Sequence, residues 1–79
     1  MTSTGAILKA ARENLGLNQR DVARQAFDKE DFQSLVSRYE ADLVEPSLTN
    51  LRKLARVLGL SLGDFDRAEL PAIPVQVPA

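Results

Sequence analysis

Whatever chemistry this chain performs is done without histidine or cysteine, because neither occurs among its 79 residues. The imidazole base, the imidazole metal ligand and the thiolate are therefore excluded together. No glycine-rich phosphate loop and no convergent carboxylates stand out, so the roles an active site requires stay unfilled and no enzyme is expected. No cofactor is implied either. Hydrogen-bonding and cationic chemistry remain. Gln33, Ser34, Ser37 and Arg38 fall on one polar side of a helical stretch, and their amide, hydroxyl and guanidinium groups offer donors and acceptors to a polar ligand. A plain solvated face has the same composition. Asn18, Gln19, Arg20 and Arg24 form a second group. Asn18 stands where a helix N-cap would. A capped helix start presents unpaired N–H groups and a positive dipole end to an anion.

These side chains need helices to hold them. Ile7, Leu8, Ala11 and Leu15 recur at helical spacing behind a cap at Ser3 or Thr4, and Gly16 ends that helix. A second helix follows Asn18, with Asp21 as the capping-box acid. It turns Val22, Ala23 and Ala26 inward, while Arg20 and Arg24 share its outer face. The segment from Phe27 to Asp31 reads two ways: Asp28 caps a third helix that begins near Lys29, or Asp31 is itself the cap. Either way Phe32, Leu35, Val36 and Tyr39 make an apolar stripe opposite the polar quartet. Pro46 marks the clearest boundary. Ser47 then caps a fourth helix with the stripe Leu48, Leu51, Leu54, Ala55 and Leu58, ended by Gly59. Ser61 with Asp64 opens a short fifth helix containing Leu62 and Phe65.

From Pro71 to Ala79 the chain carries Pro71, Pro74 and Pro78 and no charge, a composition that reads as extended rather than helical. The sequence thus predicts an all-α, compact five-helix domain over 1–70 and an extended tail over 71–79. Apolar residues make up 44% of the chain and charged ones 27%, which is ordinary for one globular domain. The net charge of −1 argues against a polycation that coats nucleic acid, but not against docking one helix and a few cations on it. No apolar run approaches the roughly 20 residues of a membrane span, and the N-terminus lacks the apolar core of a signal peptide. A cytoplasmic protein with no membrane partner is expected.

Leu15-Gly16-Leu17-Asn18-Gln19, then Val22-Ala23, Ser37-Arg38-Tyr39-Glu40, Pro46-Ser47-Leu48, Leu51, Leu54-Ala55 and Leu58-Gly59 come in an order and spacing that resembles the Cro/repressor (Xre-type) helix-turn-helix family. That class includes the lambdoid phage repressors, and the resemblance covers about residues 4 to 66. It implies a lambda-repressor-like five-helix fold, a recognition helix in the major groove, and dimeric binding to a pseudo-palindromic operator. Gln19 matches the family's glutamine at the start of helix two, which bonds a DNA phosphate. Asn18, Arg20 and Arg24 are expected to join it on the backbone. Arg12 and Glu40 match a pair that bridges helix one to the end of helix three, fixing geometry more than adding stability. Gln33, Ser34, Ser37 and Arg38 fall on the reading face. Glutamine suits adenine N6 and N7, arginine suits guanine O6 and N7, and serine suits either base.

The chain departs from the family's pattern in two places. Between Gln19 and Glu40 it is about three residues longer than the common pattern, around Ala26 to Asp31, and that turn's usual glycine is missing. Either the turn bulges, or helix three gains a turn at its N-terminal end. The added residues bring Asp28, Glu30 and Asp31 against Lys29 alone; acid facing phosphate weakens binding, or Glu30 instead accepts from cytosine N4. After helix three, Asp42 stands where the family often has glycine, and the loop Ala41 to Glu45 has no cation. Few backbone contacts per protomer then make dimerisation necessary, through helix five and the tail. The tail's Ile73, Val75 and Val77 give it one apolar edge, suited to strand addition or to a groove of a second protomer; a disordered end reads equally well. The function expected is a DNA-binding transcriptional repressor. The alternative is a protein-interaction module on the same fold, antitoxin-like or binding a host protein.

Overall fold

Capping residues set the helix boundaries of the computed structural model, which describes residues 3–66. Ser3, not Thr4, caps α1 (Thr4–Asn14), its Oγ accepting from the Ala6 N–H at 3.0 Å. Gly16 follows in the left-handed region, φ 71°, where the Leu17 N–H reaches back to the Arg12 carbonyl. Asn18 opens α2 (Gln19–Phe27) with the capping box intact: Asn18 Oδ1 accepts from the Asp21 N–H, and Asp21 Oδ2 accepts from the Asn18 N–H. Ser47 caps α4 (Leu48–Leu58) through the Asn50 N–H, and Gly59 ends it at φ 72°.

The lengthened turn resolves differently from both readings of its caps. Asp28 closes α2 in the left-handed conformation, φ 60°, so it replaces the missing glycine rather than capping a third helix. Asp31 caps nothing either. It lies inside a 3-10 turn, Glu30–Phe32, which runs straight into α3 (Gln33–Glu40) with no side-chain cap on either segment. The inserted residues have thus added a tight turn at the head of α3. Asp42 also adopts φ 60°. The Leu43 N–H bonds the Arg38 carbonyl there, the chain reversal that a glycine usually makes.

Leu8, Val22, Ala23, Val36, Tyr39, Leu54, Ala55, Leu58 and Phe65 are buried together as one core. α2 packs on α3 and α4, and α1 packs on α3 and α4. Phe27 and Phe32 pack with their rings tilted by 43° and their centroids 5.1 Å apart, bracing the turn between them. Lys53 and Lys29 place their ammonium groups about 6 Å over those two rings. Two expectations fail here. Leu48 is 57% exposed and lies off the buried stripe of α4. The expected fifth helix is a single 3-10 turn, Leu62–Phe65, in which Asp64 bonds the Ser61 N–H as expected. It buries Phe65 while Leu62 stays exposed. The described residues therefore form four α-helices and two 3-10 turns, with no strand. The tail 71–79 lies outside the described residues.

Candidate nucleic-acid interface

Close contact between α1 and the end of α3 orients the polar face. Gly5 approaches the Tyr39 and Glu40 carbonyls so closely that a Cβ there would be driven into both. The Asp42 carboxylate reaches across to accept the Gly5 N–H at 2.9 Å. One residue before, the Thr4 hydroxyl is buried without a hydrogen-bond partner. Two turns further along the same face of α1, the Arg12 guanidinium grips both oxygens of Glu40, at 2.6 and 3.0 Å, and donates to the Leu17 carbonyl at 2.9 Å. The expected bridge exists. Its side chains are only 13% and 5% exposed, and the Glu40 hydrogen bond raises the Arg12 pKa against the opposing effect of burial.

Glu40 also accepts from Gln19. Gln19 Nε2 donates to Glu40 Oε1 at 3.1 Å, and Gln33 Nε2 donates to Gln19 Oε1 at 3.3 Å. A chain of polar contacts thus runs from Arg12 through Glu40 and Gln19 to the first residue of α3. Sequence spacing could not show it, because it depends on how the two helices cross. The contacts fix the Gln33 side chain at the N-terminal end of α3. Arg12, Asn18, Gln19, Arg20 and Gln33 line a polar groove of about 450 Å³ beside this network. It lies at the N-terminus of α2, where unpaired amides and Arg20 favour an anion.

The other expected residues divide by exposure. Ser34 and Arg38 are exposed on α3, while Gln33 and Ser37 are half-buried. Arg20 is exposed and makes no ion pair among the described residues. Arg24 is exposed but engaged, with Nη2 on Asp21 at 3.0 Å and Nη1 on Glu30 at 3.3 Å. The Glu30 contact was missed by periodicity, since it joins α2 to the inserted turn six residues on. Asn50 was missed too; its amide donates to the Tyr39 hydroxyl at 3.0 Å and ties α4 to α3. Among the described residues no cluster of acids could hold a metal ion, and no helix is long and apolar enough to cross a membrane.

Two short helices joined by a turn, the second with an exposed polar side and packed against α1 while α4 packs on the first, make up a helix-turn-helix. Residues 33–65 match the family model described as Helix-turn-helix. The match supports the Cro/repressor (Xre-type) helix-turn-helix family that the sequence resembles, and it suggests a DNA-binding regulator. It begins at Gln33, the residue that follows the lengthened turn. No curated protein and no solved structure matches the chain.

Proposed function

We propose that the chain is a sequence-specific DNA-binding transcriptional repressor of the cytoplasm, acting as a homodimer on a pseudo-palindromic operator. The observation that carries this reading is the polar network from Arg12 to Gln33. It spends a buried ion pair on orienting two glutamines at the adjoining starts of α2 and α3, a rigid support that a merely solvated face does not need. Gln33 and Ser34, at the leading end of α3, reach deepest into the major groove. Ser37 and Arg38 follow one turn later, on bases or on the flanking backbone.

The groove lined by Asn18, Gln19 and Arg20 takes a phosphate against the α2 amides, and Arg24 lies further along the same outer face. With so few cations and a net charge of −1, one protomer binds weakly. Two protomers across one helical turn of DNA supply the affinity. The tail 71–79, a unit separate from the domain 1–70, contributes to the dimer contact.

The test is fluorescence anisotropy on duplex DNA, comparing the wild type with Gln33→Ala/Ser34→Ala. Each lost base contact costs about 1–3 kcal/mol against the cognate sequence. The double variant should therefore lose roughly 30-fold or more on specific DNA and keep its affinity for unrelated DNA. Equal losses on both DNAs would contradict base reading.

A second reading, a protein-interaction module on the same fold, draws on the exposed apolar residues after α3. Leu43, Val44 and Leu48 are 74%, 40% and 57% exposed. Replacing Leu43 and Leu48 with Ser tests this second reading, since it should abolish capture of a protein partner in a pull-down while leaving DNA affinity untouched.

A further inference from the structure

We propose that Arg24 is a phosphate contact masked by the acids beside it, and that Glu30 of the lengthened turn thereby sets the strength and salt dependence of DNA binding. This rests on the DNA-binding reading above and deepens it. Arg20 and Arg24 stand four residues apart on the exposed face of α2, equivalent positions one helical turn from each other. They differ in their neighbours. Arg20 makes no ion pair among the described residues, whereas Arg24 is bound on two sides, to Asp21 and to Glu30.

The two acids are not equivalent. Asp21 already serves the capping box through Oδ2, so its place is fixed by α2 itself. Glu30 makes no side-chain hydrogen bond among the described residues except the one with Arg24. It belongs to the inserted 3-10 turn, which packs on α2 at the head of the reading helix. The Arg24 and Glu30 side chains are 52% and 53% exposed, and ion pairs so exposed are weak and screened by salt. The guanidinium can therefore leave Glu30 for a phosphate at low cost. The abandoned carboxylate then faces the same phosphate and offsets part of the gain. One cation in each protomer is in effect cancelled until Glu30 is neutralised.

The experiment uses the full chain and a mixed-sequence duplex, with anisotropy read from 50 to 200 mM salt for the wild type, Glu30→Gln, Arg24→Gln and the double variant. Glu30→Gln should bind about three- to tenfold tighter at the low-salt end and steepen the log–log salt slope by about one per protomer. In the Arg24→Gln background the same substitution should bring less than half of that gain. An unchanged or weaker Glu30→Gln overturns the proposal, as does an equal gain in both backgrounds, which would mark Glu30 as a simple repulsive charge. If the wild type binds with salt sensitivity and Glu30→Gln matches it, the masking idea alone falls. If none of the four proteins binds, the DNA-binding reading falls with it. Thermal melting of each variant, expected near that of the wild type because both side chains are exposed, rules out unfolding as the cause.

Discussion

The Arg12 guanidinium holds both oxygens of Glu40 and the Leu17 carbonyl at once, so one side chain ties α1, the link after it and the end of α3. Removing it strands a carboxylate that is 5% exposed. Arg12→Ala should cost about 3–5 kcal/mol in urea unfolding, a large share of the roughly 5–15 kcal/mol that holds a typical domain. Glu40→Gln keeps an acceptor for Arg12 and should cost less than Glu40→Ala. The Arg12 pKa is raised. By linkage its contribution is fully present below the ordinary guanidinium range and is lost only in strong alkali, so unfolding near neutrality should show no pH step from this residue. The pairing of Arg12 with Glu40 was legible only through resemblance to a family, since the residues are 28 apart in the chain. That Gln19 also leans on Glu40, and Gln33 on Gln19, was not legible at all. Side-chain amides choose their partners after the helices have crossed.

Among the elements, boundaries set by local hydrogen bonds were the most readable. The Asn18 and Ser47 caps and the Gly16 and Gly59 ends stand where the residue types put them. Local rules gave no warning that Asp28 would take a left-handed conformation, or that residues 30–32 would wind as a 3-10 turn. Those outcomes go with a non-local contact, the packing of Phe27 against Phe32 across the turn, which local rules do not include. Two aspartates at the same φ of 60° make a paired prediction. Asp28→Gly removes a steric cost and no side-chain hydrogen bond, and should raise stability by up to about 1 kcal/mol. Asp42→Gly removes the acceptor of the Gly5 N–H, and should lower stability by roughly 1 kcal/mol because that amide is left unpaired. Gly5→Ala, which drives a Cβ into the carbonyls of α3, should cost about 1–3 kcal/mol. Thermal melts of the three variants check the order. If Asp42→Gly gains as much as Asp28→Gly, the contact between α1 and the loop after α3 is not structural.

At the scale of the molecule, one small core supports the polar face, and in the proposed function two copies acting together supply the affinity that a chain of net charge −1 lacks alone. Truncation after Leu70 should lower the dimer fraction in sedimentation velocity and weaken operator binding; an unchanged dimer would remove the tail from the interface. All-helical architecture and the helix-turn-helix were readable in the sequence, because stripes such as Val36–Tyr39 and Leu54–Leu58 repeat the helical period and are buried. The operator was not readable, because the base preference of the proposed readers Gln33, Ser34, Ser37 and Arg38 would depend on their exact reach. Selection from a random duplex library tests the central claim most directly. With the wild-type chain, it should enrich a two-fold symmetric sequence with half-sites about 10 base pairs apart, and Gln33→Ala/Ser34→Ala should lose that consensus while still retaining DNA at low salt. A pool that stays random with the wild type, or the same consensus from both proteins, would contradict it.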